Sequence, residues 1–420
     1  MADGPIRTDA MESLHRTVAV LSGTVFLVMI GISIILPALP QYGLELGATP
    51  FLVGLLVGAL PAARLVLDLP SGAFGDRFGN RRVMQIGLII IATTSALAVV
   101  AFNYWVLLGA RIAEGVGSAF YITSSLATLA RRVPRERRGR YMSLYVNALL
   151  IGQIIGPVIG GFVVVQFGLR APFAVYALMA LVGMLLITFG LRPSRGKDEK
   201  TAVDFAAVRR LLRDPSYVLV SLGVMGTFFV PSGLITTVIP LFIFYNWAVD
   251  QTTAAALTGV LISINAVASL ITMYPSGWLA DRIGRKTPFV ASLLLAGLIS
   301  PFLYFTQDLP TAILVMFAYG LALGLHGPLA AWATDLTPPE IMGTSMGLYR
   351  TLGDLGFLLG PLVLAAMVQL TLAGGQVTIT PFLVASIWVV ASGALLLFAR
   401  DPAGEARRKT SAVGQPGNSG

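Results

Sequence analysis

The stretch Gly72-Ala-Phe-Gly-Asp76-Arg77-Phe-Gly79-Asn80-Arg81-Arg82 is a charged turn between two long apolar segments. It returns 205 residues later as Gly277-Trp-Leu-Ala-Asp281-Arg282-Ile-Gly284-Arg285-Lys286, and the Pro-Ser pair in front of it returns as well. The offset is close to half of the 420-residue chain. A repeat of this period indicates a duplicated structural unit.

The composition is that of an integral membrane protein. Hydrophobic residues make up 56% of the chain and charged residues 12%, with a mean hydropathy of +0.81, whereas soluble domains are about one quarter charged. The 45 glycines fit this class, because helices that pack closely in lipid use small residues. With no cysteine and only two histidines, thiol chemistry is excluded and no metal site is expected.

Apolar runs of about 20 residues, the length that crosses a bilayer, occur twelve times. The predicted spans are residues 17–39, 50–74, 83–102, 105–130, 141–165, 171–191, 216–244, 254–280, 288–306, 311–334, 341–370 and 380–399. The predicted fold class is therefore an all-α integral membrane protein with twelve transmembrane helices in two pseudo-symmetric six-helix halves.

The repeat also predicts the domain organisation. The expected parts are an amino-terminal half at residues 1–191, a cytoplasmic linker at 192–215, a carboxy-terminal half at 216–399 and a disordered cytoplasmic tail at 400–420. The linker is the only long polar stretch inside the chain, and its residues 204–213 can form a short surface helix.

The positive charge of the chain follows its topology. The net charge is +9, and of the loop cations only Arg170 falls on the side opposite the others. The remaining three cations, Arg64, Arg111 and Arg350, lie inside spans. We expect the protein to lie in the plasma membrane of the cell. By the positive-inside rule, both of its termini are expected in the cytoplasm. The basicity therefore does not indicate a nucleic-acid partner.

The repeated turn has the residues expected of a conformational latch. Its glycines let a helix end and its return come close together, its aspartate can face the positive end of another helix, and its arginines hold the inner membrane face. A single copy could equally be an ordinary positive-inside loop. The predicted gating residues are Arg64, Asp68, Gly72, Asp76, Arg77, Gly79, Arg81 and Arg82, with Gly277, Asp281, Arg282 and Gly284 in the second copy.

This turn, Gly-x-x-x-Asp-Arg-x-Gly-x-Arg-Arg after the second span and again after the eighth, resembles the signature loop of the major facilitator superfamily of secondary transporters. The twelve spans, the linker and the half-chain repeat extend the resemblance over nearly the whole chain. In that family the loop forms a charge latch that closes the cytoplasmic side, which the resemblance implies for Asp76 and Arg77. Asn80 stands where the family often has arginine, so a weaker latch is expected.

Span four contains an ionisable pair, Arg111 and Glu114, on one helix face. Glu114 lies about 13 Å along the helix from Trp105, near the middle of the membrane, where charges usually mark an ion or substrate path. The pair is similar to the span-four motif of the family, in which the arginine is tied to proton coupling. Glutamate replaces the more usual glutamine and adds a titratable group. A structural ion pair is the alternative.

Span five carries small residues at intervals of four that form a groove for close helix contact, with a proline that bends the helix. Packing alone could explain this pattern. It nevertheless resembles the antiporter motif of exporters in the superfamily, with Ser143 where the motif usually opens on glycine, and so favours export over uptake. The residues concerned are Gly152, Gly156, Pro157, Gly160 and Gly161.

Two further helices carry charged pairs one turn apart. In span eleven, Asp354 lies roughly 20 Å from the inner end of the helix and can bind a proton or form a salt bridge with Arg350. In span two, Arg64 and Asp68 continue the stripe of the charged turn, so gating is favoured over transport for Asp68. His326 in span ten is a weaker candidate and is expected to be structural.

The sequence contains no phosphate-binding loop, nucleophile elbow or metal-binding helix, so an enzyme and an ATP-driven pump are excluded and no cofactor is expected. The leading hypothesis is a proton-coupled exporter of drug-like or hydrophobic small molecules that works by alternating access as a monomer. The alternative is a proton symporter or uniporter for a small polar metabolite, such as a sugar or organic anion. A non-transporting receptor or scaffold would not need buried ionisable pairs.

The turn makes a direct prediction. Replacing Asp76→Asn removes the charge of the latch and should shift the protein away from the outward-open state. Because the chain has no cysteine, single cysteines introduced on each side can report accessibility without background. An unchanged inside-to-outside labelling pattern would reduce the turn to a topology signal.

Overall fold

The computed structural model describes residues 4–134, 137–191, 205–247, 249–327 and 329–405. The contacts group the chain into two compact units, residues 1–201 with 249–263 (unit 1) and residues 202–248 with 264–420 (unit 2). The predicted linker and tail fall largely on residues 192–204 and 406–420, which lie outside the described residues.

Unit 1 is built from seven helices and the first part of another. They are α1 (Gly4–Ile34), α2 (Ala38–Glu45), α3 (Pro50–Phe78), α4 (Asn80–Val99), α5 (Tyr104–Arg132), α6 (Arg138–Phe167), α7 (Ala171–Gly190) and the start of α11 (Gln251–Ile283). Within the unit, α5 packs against α3 and α4, and α1 packs against α6 and α7.

Unit 2 contains the remaining helices. They are α8 (Phe205–Leu212), α9 (Pro215–Val230), a π-helix (Pro231–Val238), α10 (Ile239–Asn246), the rest of α11, α12 (Lys286–Ile299), α13 (Leu309–Gly324), α14 (Leu329–Asp335), α15 (Met342–Thr371) and α16 (Thr380–Leu396). Short 3₁₀ turns follow α12 and precede α15. α15 packs against α9 and the π-helix, and α12 packs against α13 and α16.

The predicted fold class is confirmed. Ten helical runs among the described residues are long and apolar enough to cross a membrane, and α16 is apolar but shorter. α5, which carries the ionisable pair of span four, has 29 residues. Each predicted span therefore coincides with helical structure, and the surface helix expected at 204–213 is present as α8.

Three predicted spans are interrupted among the described residues, and a fourth, span nine, continues beyond α12 as a 3₁₀ helix at Ser300–Phe305. The first ends at Ile34, and a turn separates it from α2, whose N-cap is Pro37. Span seven changes to π-helical geometry at Pro231, and span ten stops at Gly324. Proline removes a backbone donor from the helix, which accounts for the first two interruptions.

The two copies of the charged turn both contain a glycine with a positive φ. Gly79 joins α3 to α4 with a φ of 86°, and Gly284 joins α11 to α12 with a φ of 101°. Only glycine adopts such angles without strain. The repeat in the sequence therefore encodes a repeated turn between consecutive helices.

The outer surfaces of both units are apolar. Large side chains such as Phe162, Phe189, Leu314 and Leu370 are exposed to more than half their area. A soluble protein rarely leaves so much apolar surface uncovered, whereas lipid covers it in a membrane. Outside the spans, the helix ends use polar caps. The hydroxyl groups of Thr252 and Thr253 hold the pKa of the Asp250 carboxyl below its usual value.

The turn geometry predicts a position-specific effect of adding one methyl group. Gly79→Ala forces alanine into a backbone conformation that it strongly disfavours and should lower the free energy of unfolding by about 1–3 kcal/mol. Gly109→Ala is the matched control, because Gly109 lies inside α5 and an added Cβ meets nothing within 4 Å. Thermal unfolding in detergent measures both. Equal melting temperatures for the two variants would contradict the strain at Gly79.

Candidate functional site

A buried ion pair lies in the middle of α5. An Nη1 donor of Arg111 lies 2.6 Å from Oε2 of Glu114. The two residues are 2% and 1% exposed. Charges this deep in an apolar protein are costly unless they are paired, and they usually serve an ion or substrate path.

The ion pair is only partly satisfied. Oε1 of Glu114 and Nε of Arg111 are buried and have no hydrogen-bond partner among the described residues. The hydroxyl of Tyr176, on α7, is likewise buried without a partner in the described part of the chain. Tyr176 lies within electrostatic range of both members of the pair. Unsatisfied buried polar atoms are uncommon, so this cluster can accept or donate further hydrogen bonds.

Three buried tyrosines surround this region of unit 1. Tyr121 on α5 lies within electrostatic range of Tyr145 on α6 and of Tyr176. The sequence analysis missed Tyr176. Tyr176 lies about 8 Å along α7 from the first residue of that helix, and Arg111 lies about 10 Å along α5 from its first residue. Comparing the depths of polar side chains on different spans could therefore have found it.

Glycines allow the other helices to approach this cluster. A Cβ on Gly31 of α1 would lie 2.8 Å from Cγ of Tyr176 and overlap its ring. On α5, Gly115 leaves room for α3 and Gly117 leaves room for α4, where a Cβ would meet the backbone oxygens of Leu60 and Gly87 at 2.7 and 2.6 Å. These contacts hold α5 in place around Glu114.

The small residues predicted on span five line contacts within unit 1. Added Cβ atoms at Gly152 and Gly156 would meet α1 at distances of 3.1 Å or less, and Gly160 faces the same helix. Gly161 faces the start of α11, where Gly259 approaches the carbonyl oxygen of Pro157. The groove therefore receives two helices, one on each side.

The corresponding ionisable pair of unit 2 lies on α15. Asp354 is buried at 4% exposure, and Arg350 is partly buried one turn before it. Next to them, Gly356 and Gly360 bring α15 against the backbone of α9 and the π-helix. The Ser232 hydroxyl of the π-helix donates to the Phe357 carbonyl oxygen at 2.8 Å. α15 is thus fixed to the interrupted span seven.

Span ten is interrupted next to His326, the weaker candidate of the sequence analysis. A ring nitrogen of His326 forms a short hydrogen bond with the carbonyl oxygen of Leu323. The helix α13 stops at Gly324, just before this residue. His326 therefore satisfies the backbone where the helix is interrupted.

The second copy of the charged turn forms an ion-pair network. Arg285 lies 2.7 Å from Asp281 and 3.2 Å from Asp335, at the end of α14. The guanidinium of Arg282 lies 3.9 Å from the centre of the Trp278 ring. A Cβ added to Gly277 would meet nothing within 4 Å.

The first copy has different partners. Arg81 donates through Nη2 to the carbonyl oxygen of Thr188 at the end of α7. Arg77 is exposed and lies 5.2 Å from the Phe78 ring centre. Arg82 is exposed, and Gly72 faces the methyl group of Thr123 on α5. Earlier in α3, the remaining stripe residues, Arg64 and Asp68, are partly buried. The Asp76 side chain lies outside the described part of the structure.

Among the described residues, no group of three His, Cys, Asp or Glu side chains could hold a metal ion. The chemistry that these sites offer is ion pairing and hydrogen bonding at depth in an apolar helical protein.

Comparison with known proteins identifies the family. The model of the Major Facilitator Superfamily matches residues 21–361 and, in a second match, residues 232–416. The chain belongs to this superfamily. Members of the superfamily are membrane transporters and not enzymes, so this chain is a multi-pass membrane transporter.

Curated relatives include bacterial multidrug transporters. Multidrug resistance protein 2 of Bacillus subtilis is 25% identical over 81% of this chain and 86% of its own length. The quinolone resistance protein NorA of Staphylococcus aureus is 24% identical over 84% and 90%. The multidrug resistance protein MdtG of Salmonella typhimurium is 26% identical over 81% and 86%.

Solved structures share the fold at lower identity. A bacterial homolog of the human lysosomal transporter Spinster matches with a TM-score of 0.76 at 16% identity, covering 91% of this chain and 96% of that chain. The nucleoside transporter NupG matches with a TM-score of 0.74 at 15% identity, covering 91% and 99%.

The buried pair of α5 makes a prediction about stability. Arg111→Met leaves a buried carboxylate without its partner and should cost about 3–5 kcal/mol of unfolding free energy. Adding Glu114→Gln removes the stranded charge and should restore much of that loss. A double-mutant cycle of thermal unfolding in detergent measures the coupling. Additive effects of the two substitutions would contradict a pairing role.

Proposed function

We propose that this superfamily member is a proton-coupled exporter of drug-like or hydrophobic small molecules that works by alternating access. The observation that carries the proposal is the buried, incompletely satisfied pair of Arg111 and Glu114. A titratable carboxyl group in an apolar interior is suited to binding and releasing a proton. Arg111 and the hydroxyl of Tyr176, which lie near this carboxyl group, can respond to the change in charge.

In the proposed cycle, Glu114 exchanges its proton with the two sides of the membrane in turn. While deprotonated, the carboxylate is held by Arg111 at 2.6 Å. A proton on the carboxyl group weakens this attraction, because a neutral acid no longer offers a full charge to the guanidinium. The freed arginine and the tyrosine hydroxyls then take new partners. Proton entry from outside and release inside would drive substrate outward.

Unit 2 supplies a second carboxyl group at Asp354. It lies with Arg350 on a helix that is fixed to the interrupted span seven. A proton at this position would change the charge of α15 next to a π-helix, a geometry that occurs frequently at functional sites. We assign Arg111, Glu114, Arg350 and Asp354 to proton coupling.

Two observations support export over uptake. Span five carries the glycine and proline groove that contacts α1 and the start of α11, which matches the small-residue pattern typical of antiporters. Several relatives are named for multidrug or quinolone resistance. At about 25% identity, these names support the class of substrate.

The charged turns complete the proposal. We assign both copies to the cytoplasmic face as gating latches, with both termini in the cytoplasm and the protein acting as a monomer in the cell membrane. The ion pairs of Arg285 with Asp281 and Asp335 support a latch in unit 2.

A proton symporter or uniporter for a small polar metabolite is the second candidate. Arginine side chains on three spans could suit an anion, and one structural neighbour is a nucleoside transporter. Proton movement distinguishes the candidates. Substrate added to liposomes containing the purified protein should drive protons opposite to the substrate in an antiporter. Movement in the same direction would establish symport.

The coupling assignment predicts a separable loss of function. Glu114→Gln and Asp354→Asn each remove a titratable group while keeping a hydrogen-bonding side chain of similar size. Each should abolish ethidium export driven by a proton gradient in liposomes, and the melting temperature in detergent shows whether each variant is folded. Glu340→Gln, which changes an exposed carboxylate, is the matched control. Normal uphill transport by both single variants would overturn the assignment.

A further inference from the structure

A row of hydroxyl groups continues along α5 from the buried ion pair. Ser118, Tyr121 and Ser125 follow Glu114 at intervals of four, three and four residues. On a helix of 3.6 residues per turn, these four positions fall within about 60° of one face and cover about 16 Å of its length. They lie on the side of Glu114 toward Arg132, where α5 ends. The helix therefore carries a continuous polar face through an apolar protein.

The polar atoms on this face are buried and lack protein partners. Ser118, Tyr121 and Ser125 are fully buried, and Glu114 is nearly so. Their three hydroxyl oxygens, and Oε1 of Glu114, have no hydrogen-bond partner among the residues that the structure describes. The hydroxyl groups of Tyr121 and Ser125 lie near each other without a direct hydrogen bond. Buried polar atoms in proteins are bonded either to protein or to ordered water, so this face is suited to binding water.

Other hydroxyl groups in unit 1 are satisfied within their own helices. Thr94 on α4 donates to the carbonyl oxygen of Ile90 at 2.8 Å, and Thr128 on α5 donates to that of Ser124 at 2.7 Å. A serine or threonine in a helix commonly bonds to the backbone one turn earlier in this way. Ser118 and Ser125 do not. Their hydroxyl groups are therefore left available to a ligand.

A second helix adds a polar group opposite this face. Tyr176 on α7 lies within electrostatic range of Glu114 and of Tyr121. Its hydroxyl is also buried without a partner in the described part of the chain. Water bound along α5 can therefore take hydrogen bonds from two helices near the ion pair, which a buried water needs.

The far end of the polar face meets a small cavity. Thr128, three residues beyond Ser125, lines a space of about 30 Å³, enough for one or two water molecules. Arg131 lines the same cavity and is exposed, which places the cavity near the surface of the unit. The guanidinium groups there disfavour another positive charge, so a proton that arrives is released to water.

We propose that Ser118, Tyr121 and Ser125 conduct protons, through bound water, between Glu114 and the cavity at the end of α5. Each hydroxyl group accepts a proton from one neighbour and passes its own proton to the next, so its charge is unchanged afterwards. One proton leaves the Glu114 carboxyl group and one appears in water at the far end. This inference rests on the proposed proton coupling and adds the route that the proton takes.

The experiment compares two transport modes of the purified full chain in liposomes. Ethidium export driven by a proton gradient requires net proton transfer, whereas exchange of labelled for unlabelled ethidium at equal pH does not. Tyr121→Phe removes one hydroxyl group with little change of shape. It should slow proton-driven export roughly tenfold, the change expected in a barrier for one lost hydrogen bond, and leave exchange unchanged. Ser118→Ala should act in the same direction, and the triple variant with Ser125→Ala should be slower still.

The controls separate this route from the coupling residue and from folding. Thr94→Val removes a hydroxyl group that its own helix already satisfies, so both transport modes should match the unmodified protein. Melting temperatures in detergent show whether each variant is folded. Equal slowing of export and exchange by Tyr121→Phe would indicate a structural role and overturn the route.

Glu114→Gln in the same liposomes distinguishes the two levels of the proposal. Unchanged proton-driven export by the triple variant, with export lost in Glu114→Gln, overturns the route and leaves the proposed function standing. Normal export by Glu114→Gln, or no proton movement with the unmodified protein, overturns the proposed coupling and the route with it.

Discussion

An arginine and a glutamate 2.6 Å apart in an apolar interior set the main constraint on unit 1. Removing two charges from water is costly, and their attraction offsets that cost only when both stay in place. The surrounding helices must therefore hold α5 closely. Gly115 and Gly117, which follow Glu114 closely along α5, allow backbone approach to α3 and α4, and Gly31 makes room for the ring of Tyr176. The small residues therefore allow the close helix packing that keeps the buried pair in place.

The two units keep a glycine of positive φ at the repeated turn, and the basic residues that follow it have different described partners. Gly79 and Gly284 both have positive φ between consecutive helices. In unit 2 the turn is tied by carboxylates of its own chain, including Asp335 at the end of α14. In unit 1, Arg81 of the turn donates to the carbonyl oxygen of Thr188 at the end of α7. A duplicated fold can therefore preserve geometry while its copies diverge in the partners that they take.

Interrupted helices are stabilised by side chains within the same unit. In lipid, every backbone carbonyl that loses its helical partner needs another donor. The hydroxyl of Thr272 on α11 donates to the carbonyl oxygen of Leu321 at 2.8 Å, and Ser292 on α12 donates to Ala322 at the same distance. Both bonds meet α13 just before it ends. These hydroxyl groups supply hydrogen bonds to backbone carbonyl groups where span ten is interrupted.

The sequence by itself determined the membrane class, the helical spans, the duplication and the meeting of Arg111 with Glu114, because each depends on hydropathy or on spacing along one helix. The role of Gly79 and Gly284 could also be predicted from the sequence, since it is local to a turn. Tyr176, the π-helical stretch after Pro231 and the contact of Arg81 with Thr188 required the tertiary structure. Helices that are apolar all round carry no record of which face meets which neighbour. Only packing in three dimensions decides it.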